Sequence, residues 1–141
     1  MTVEETTEAT TCQPVISPVS EPVVSDVFGS RVNPVTGKSE LHKGIDIAVA
    51  ENTPVCACID GYVADCGYSD SYGYFIKIQG ENYACLYGHL NKILLNKGDK
   101  ISQGQPAALS GNTGQSTGPH LHFELYEGDK LIDPSLIISD F

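Results

Sequence analysis

The sequence lacks tryptophan, has a single methionine, and carries only 8 Lys and Arg residues against 18 Asp and Glu. Its formal net charge is −10, and no basic stripe is present, which argues against nucleic-acid binding. The same shortage of cationic residues argues against direct contact with an anionic membrane surface. No apolar run is long enough to cross a bilayer, and no signal peptide is visible at the start of the sequence.

The charge is unevenly distributed, and this predicts the domain organisation. Residues 1–26 contain acidic side chains but no Lys or Arg, and their Thr, Ser and Pro residues follow no helical period. We therefore predict an acidic linker or stalk over 1–25, a folded domain over 26–134, and a C-terminal tail over 135–141. We also expect a longer parent chain, so the missing secretion signal is weak evidence for a cytoplasmic location.

What the sequence does have is glycine and proline, with 14 and 8 residues in a chain of 141. Short alternating segments separated by turn signals predict an all-β, antiparallel domain. Two strand pairs are expected: one joined at Asp60-Gly61, and one turning at residues 80–82. The segment "NKILLNK" (91–97) is the only plausible helix, and it is short.

Five cysteines occur, at positions 12, 56, 58, 66 and 85. Their spacing matches no zinc-finger pattern, so they are expected to act as small buried apolar residues. A disulfide among the last four is the open alternative, with Cys12 left unpaired in the tail.

Half of the four histidines stand two residues apart, in "TGPHLHF" (117–123). If residues 120–125 form a strand, His120 and His122 project from one face, and Leu121, Phe123 and Leu125 project into the core from the other. The histidine face must then meet something polar.

A second pattern, "HKGID" (42–46), contains a carboxylate in an alternating apolar segment. Asp46 is costly among Ile and Val unless it has a partner such as a metal ion, a histidine or an arginine. Catalytic zinc is commonly held by three protein ligands, and two histidines with one carboxylate form such a set. His42, Asp46 and one of the pair His120 and His122 could supply it. Two histidines would then remain for proton transfer and charge stabilisation.

These segments resemble the lysostaphin/LytM family of zinc metallopeptidases. The similarity rests on "HKGID" (42–46), "YGHL" (87–90) and "STGPHLHFE" (116–124), and it extends through "FGSRVNPVTG" and "GDKISQGQPAALSGNTG" over roughly 26–134. The resemblance implies a twisted antiparallel β fold with a groove. Its walls would be loops 29–41, 66–74, 91–99 and 111–119, and its groove candidates are Tyr68, Tyr72, Tyr74 and Tyr87. Ordinary packing is the alternative for each tyrosine, and it is favoured for Tyr74.

The resemblance also assigns roles to the histidines. His42, Asp46 and His122 would hold one zinc ion per domain, and His89 and His120 would be the catalytic pair. The implied reaction is hydrolysis of peptide bonds in peptidoglycan cross-bridges or stem peptides, on the extracellular or cell-envelope side. The protein would be secreted, or anchored through a segment absent from this chain.

The alternative is a non-catalytic or weakly catalytic scaffold or regulator of cell-wall remodelling, for example in sporulation or division, with a cell-envelope protein as its partner. Some members of the family serve as scaffolds after losing ligands, whereas this sequence retains every one of the motif residues. A structural β domain whose histidines bind nothing is the third possibility.

Overall fold

The protein is described by a computed structural model that covers residues 15–32, 35–114, 116, 118–138 and 141. The first fourteen residues of the predicted linker lie outside this part of the chain. The strands are β1 (Val24–Asp26), β2 (Gly29–Val32), β3 (Ser39–His42), β4 (Ile45–Ile47), β5 (Pro54–Cys56), β6 (Gly61–Ser69), β7 (Gly73–Gln79), β8 (Tyr83–Ile93), β9 (Lys100–Ile101), β10 (Pro106–Ser110), β11 (Leu121–Glu127) and β12 (Lys130–Ile132). A 3-10 turn follows at Pro134–Leu136. The expected all-β class is confirmed.

The strands of the described segments are antiparallel, and most belong to one sheet. Its main path is β9-β6-β7-β8-β11-β4-β1, while β10 pairs with both β5 and β8, and β12 pairs with β11. Strands β2 and β3 form a separate hairpin. Strand β8 carries His89, and β11 carries His122, with His120 directly before it. The middle of the sheet therefore positions these three histidines.

The core lies on the face predicted from strand alternation. Phe123 is fully buried on β11 and packs against Tyr87 on β8, with ring centroids 5.6 Å apart. The other core-facing residues of β11 and β4 are also buried: Leu121, Leu125, Ile45 and Ile47. The opposite face of β11 and β4 is thereby left to His122 and Asp46.

Part of the segment predicted as linker packs on this core. Val15 and Val19 are buried, the Ile16 N–H donates to the Cys58 carbonyl at 3.0 Å, and the Cys56 N–H donates to the Pro18 carbonyl at 2.8 Å. Strand β1 then pairs with β4. These contacts fix residues 15–26 against the sheet, while the boundary at residue 26 stays a prediction. No described helix has the length and apolarity needed to span a membrane.

Two local predictions were wrong. The strands either side of Asp60-Gly61 form no hairpin. Strand β5 instead pairs with β10 on one side, and on the other side its Cys56 N–H donates to the Pro18 carbonyl oxygen. The segment "NKILLNK" is not a helix, because its first three residues extend β8, where Lys92 and Ile93 pair with β10. In both cases a partner distant in sequence provides the backbone hydrogen bonds, and this outweighs the local preference. The hairpin β7–β8 is confirmed.

Candidate metal centre

Strand β11 brings the histidine of one motif opposite the aspartate of another. His122 pairs in register with Asp46 on β4 and, across its other edge, with Gly88 on β8. His42 ends β3, and the chain then turns through Gly44 into β4. A Cβ atom at Gly44 would overlap the backbone oxygen of Phe123, so this turn can approach β11 only with glycine.

Three side chains converge at this point, each offering one atom that could bind a cation. Their ligand atoms lie within 4.8 Å of one another, and the residues are His42, Asp46 and His122. The Asp46 Oδ1 atom is 3.2 Å from His42 Nε2 and 3.0 Å from His122 Nδ1. The structure thus brings together the three residues predicted as ligands, and their role as ligands remains a prediction.

In His42 and His122, the ring nitrogen that points away from Asp46 determines the tautomer. His42 Nδ1 lies 2.8 Å from the Val27 carbonyl oxygen, and His122 Nε2 lies 2.9 Å from Glu124 Oε2. Carbonyl and carboxylate oxygens only accept hydrogen bonds, so each of these nitrogens must carry a hydrogen. In neutral rings, His42 Nε2 and His122 Nδ1 would then both point lone pairs towards the Asp46 oxygen. Three such acceptors in a buried position require a proton or a metal cation between them.

The other two histidines line the same site. His120 Nε2 lies 3.7 Å from Asp46 Oδ1, and its Nδ1 lies 2.8 Å from the Gly118 carbonyl oxygen. His89 donates from Nδ1 to the Thr113 carbonyl oxygen at 2.7 Å. The His89 and His120 rings lie with their centroids 4.7 Å apart. All five predicted site residues therefore lie in one cluster.

His89 is held as a neutral ring with one nitrogen lone pair in the site. Its backbone φ is 60°, an uncommon left-handed value that often marks a functional position when a non-glycine residue adopts it. Burial lowers the pKa of His89 to about 4, against the opposing hydrogen bond to Thr113. The ring is therefore neutral at pH 7. Because Nδ1 carries the hydrogen, Nε2 keeps a free lone pair.

Asp46 and His122 form an ion pair when no cation is present. Burial opposes both charges, but the hydrogen bond and positive charge of His122, with a further contribution from nearby His42, hold the pKa of Asp46 well below its usual range. For His122, burial is likewise outweighed by hydrogen bonds to Asp46 and Glu124, which raise the pKa of His122 to about 9. The apo site thus holds a proton that a metal ion would replace.

The metal-free protein is expected to become less stable as the pH rises from 6.5 through 9. A histidine whose folded pKa exceeds its unfolded value of 6.5 contributes stability below pH 6.5, and this is lost as the pH passes 9. Melting temperatures in excess chelator at pH 6.5 and 9 measure the effect, and His122→Ala should show a smaller difference. A wild-type melting temperature that does not fall over this window would contradict the ion pair.

The sequence prediction missed the residues that support His122. Glu124 is fully buried, and its Oε2 atom accepts hydrogen bonds from His122 Nε2 and from the Tyr72 hydroxyl. Its Oε1 atom accepts from the Tyr126 hydroxyl at 2.5 Å. A carboxylate two residues beyond His122 shares its strand face, so period-two alternation was the available signal.

The tyrosines predicted for the groove occupy different environments. Tyr72 packs its ring on His122, with centroids 5.6 Å apart, and its backbone oxygen accepts from the His89 N–H. Tyr68 and Tyr74 are exposed and contact each other edge-on at 5.0 Å. Tyr87 is fully buried against Phe123, so its prediction as a groove residue was wrong, because its side chain points to the core face of β8.

Comparison with known proteins identifies the family. The profile of peptidase family M23 matches residues 40–134, which contain all five site residues. The chain belongs to peptidase family M23. This confirms the lysostaphin/LytM resemblance.

One relative is the peptidoglycan DD-endopeptidase ShyA of Vibrio cholerae, 47% identical over 96 residues, which cover 67% of this chain and 22% of ShyA. The chain spans 22% to 28% of the length of such curated relatives.

Several solved structures share the fold. A zinc-containing peptidase from Vibrio cholerae is 36% identical with a TM-score of 0.77, over 83% of this chain and 37% of that one. The catalytic domain of lysostaphin from Staphylococcus simulans is 29% identical with a TM-score of 0.73, over 82% and 90% of the two chains. A SpoIIQ–SpoIIIAH pore-forming complex matches with a TM-score of 0.78 over 89% and 91%, but at 23% identity this shows the fold alone.

Proposed function

We propose that this M23 domain is a zinc-dependent endopeptidase that hydrolyses peptide bonds in bacterial peptidoglycan, in cross-bridges or stem peptides. His42, Asp46 and His122 would hold one zinc ion. The observation that carries the proposal is the convergence, in a largely buried site, of one carboxylate oxygen and two imidazole nitrogens within 4.8 Å of one another. Two histidines and one carboxylate are a donor set that suits catalytic zinc and leaves a coordination position open.

The outer contacts of the ligands support this assignment. His42 is held by the Val27 carbonyl oxygen and His122 by Glu124, so neither ring can turn its other nitrogen inwards without losing its hydrogen bond. Partners of this kind fix the tautomer of metal-binding histidines and increase their basicity. A bound zinc ion would supply Lewis acidity, polarising a carbonyl group and lowering the pKa of water towards neutrality.

The remaining histidines have positions suited to proton transfer. His89 is neutral, and its Nε2 lone pair can accept a proton from the attacking water. His120 is oriented by Gly118 through Nδ1, so its Nε2 faces the ligand cluster beside the His89 ring. A protonated His120 or His89 can stabilise negative charge on the tetrahedral intermediate or protonate the leaving amine.

The substrate and location rest on relatives rather than on the site alone. ShyA is named as a peptidoglycan DD-endopeptidase, and the DD-carboxypeptidase/endopeptidase Mpg of Neisseria meningitidis is 35% identical over 120 residues. We infer a peptidoglycan substrate and an extracellular or cell-envelope location for this chain. The net charge of −10 offers no attraction to anionic wall polymers, so productive contact would depend on the groove itself or on another segment of the protein.

Digestion of defined cross-linked muropeptides tests this function. The full chain, stripped with chelator and reloaded with one equivalent of zinc, should release products whose masses identify the cleaved bond. The stripped protein and the zinc-treated His42→Ala variant are the controls, and neither should cleave.

The alternative function is a scaffold or regulator that binds an envelope protein. Stoichiometric zinc with no cleavage of any cross-linked or linear muropeptide would overturn the peptidase proposal and favour that alternative. Protein that binds no zinc after purification without chelator and without a histidine tag would overturn both the metal site and the chemistry.

A further inference from the structure

Two cysteine sulfurs lie in direct contact inside the core. The Sγ atoms of Cys58 and Cys85 are 3.0 Å apart, and both residues are fully buried. This is closer than the roughly 3.5–4.0 Å at which two non-bonded carbon atoms make their best contact. We propose that Cys58 and Cys85 form a disulfide bond in the functional protein. An approach of about 1 Å would bring the sulfurs from contact to bonding distance.

The remaining cysteines have different surroundings. The Cys56 thiol contacts the Ser17 carbonyl oxygen at 3.6 Å, on the packed N-terminal segment. Cys66 lies on β6, half-buried and opposite Ile76 of β7. Cys12 lies outside the described residues. Strand alternation in "CAC" left any pairing among the last four cysteines open, and the packing selects Cys58 with Cys85.

The core around the pair tolerates loss of the two thiol hydrogens. In the reduced form, the Cys58 thiol donates to Cys85, and the Cys85 thiol donates to the Tyr87 hydroxyl at 3.4 Å. That hydroxyl also accepts from the Cys58 N–H at 2.8 Å and donates to the Cys56 carbonyl at 3.0 Å. Both of these bonds remain after oxidation, so no buried polar group would be left without a partner.

The bond would restrain β8, the strand that carries His89, for which a catalytic role is proposed above. Cys58 precedes β6, and Cys85 lies on β8, the strand that also contains His89. A link between them closes a loop containing β6 and β7, the hairpin from which Tyr72 reaches His122. Restricting the unfolded chain in this way stabilises the fold without adding any contact at the site.

Formation of the bond requires an oxidant, which we take to be a disulfide compound or a thiol–disulfide oxidase. One protein thiol loses its proton, and the thiolate attacks the disulfide RSSR, forming a mixed disulfide and releasing RS⁻, which takes up that proton to give one RSH. The second protein thiolate then displaces the remaining RS⁻, which takes up the second thiol proton, so two protein thiols are oxidised and one RSSR is reduced to two RSH. Burial raises the pKa of the Cys58 thiol, so the exchange is expected during folding rather than in the closed core.

Disulfide bonds persist in oxidising compartments, such as the extracellular or cell-envelope location inferred above. The biological relevance of this bond therefore rests on the proposed function. The chemistry can be tested without any activity measurement. The full chain is unfolded and reduced, refolded with oxidised and reduced glutathione, and then alkylated under denaturing conditions. Of five thiols, three should be alkylated, since two are bonded. Trypsin cuts after Lys43, Lys77 and Lys92, so the product should join peptide 44–77 to peptide 78–92.

Matched variants identify the partner within peptide 44–77. Cys56→Ser and Cys66→Ser should keep the cross-link, whereas Cys58→Ser and Cys85→Ser should lose it. Oxidised wild-type protein should melt roughly 10 °C above the same protein in dithiothreitol, a comparison that needs no variant to fold. Five alkylated thiols after refolding with glutathione, or a cross-link that survives in Cys58→Ser, would overturn the proposal. Loss of muropeptide cleavage with an intact cross-link would instead count against the peptidase function alone.

Discussion

Replacement of His120 by alanine is expected to lower kcat/KM on a cleavable muropeptide by about 10²- to 10⁴-fold while leaving one zinc ion bound. The size is that of losing a positioned acid–base group. The physical reason lies in the geometry of "HLH". His122 stands opposite Asp46 in the sheet register, whereas His120 lies just before the strand, with its Nε2 atom 3.7 Å from the Asp46 oxygen.

The contrast with His122→Ala makes this test specific. That variant removes a ligand atom 3.0 Å from Asp46 Oδ1, so it should lose both zinc and activity. Zinc content by mass spectrometry and kcat/KM are measured on the same preparations, and His89→Ala should behave as His120→Ala does. Loss of zinc in His120→Ala would indicate that His120, rather than His122, is the zinc ligand. Unchanged turnover in both His89→Ala and His120→Ala would remove them from the chemistry.

Substitution of Glu124 by glutamine is expected to weaken zinc binding by about 10- to 100-fold, the usual effect of losing the partner of a metal-binding histidine. Glutamine retains the shape of glutamate but has no charge. Its amide oxygen can still accept from one side, whereas the carboxylate accepts from His122 and Tyr72 on one oxygen and from Tyr126 on the other. The variant therefore tests how much the negative charge of Glu124, which accepts the hydrogen bond from His122 Nε2, contributes to zinc binding.

Two tyrosine variants provide matched controls for this prediction. Tyr72→Phe removes a hydrogen bond to the oxygen that also holds His122, and Tyr126→Phe removes one to the other oxygen. We expect zinc affinity, measured by competition with a chelator, to fall most in Glu124→Gln, less in Tyr72→Phe and least in Tyr126→Phe. Wild-type affinity in folded Glu124→Gln would show that Glu124 does not position the ligand. Activity at saturating zinc separates an effect on binding from one on the chemistry.

Much of the candidate site could be predicted because its motifs are short and local. Alternation along a strand separates His122 from Phe123 and Asp46 from Ile47, whatever the strands pair with. The same reasoning failed at "NKILLNK" and at Asp60-Gly61. There, the backbone partners are β10 and the segment around Pro18, which no local pattern reveals.

The sequence by itself determined the β class, the two faces of β11 and the residue types able to bind a metal, since these follow from spacing within a few residues. Only the tertiary structure decided the contacts between distant segments. The register of β4 against β11 places Asp46 beside His122 across 76 residues of sequence. Packing also brought Tyr72 to Glu124 and Cys58 to Cys85. Such contacts depend on which strands become neighbours in the sheet, and alternation within a single strand carries no information about its neighbour.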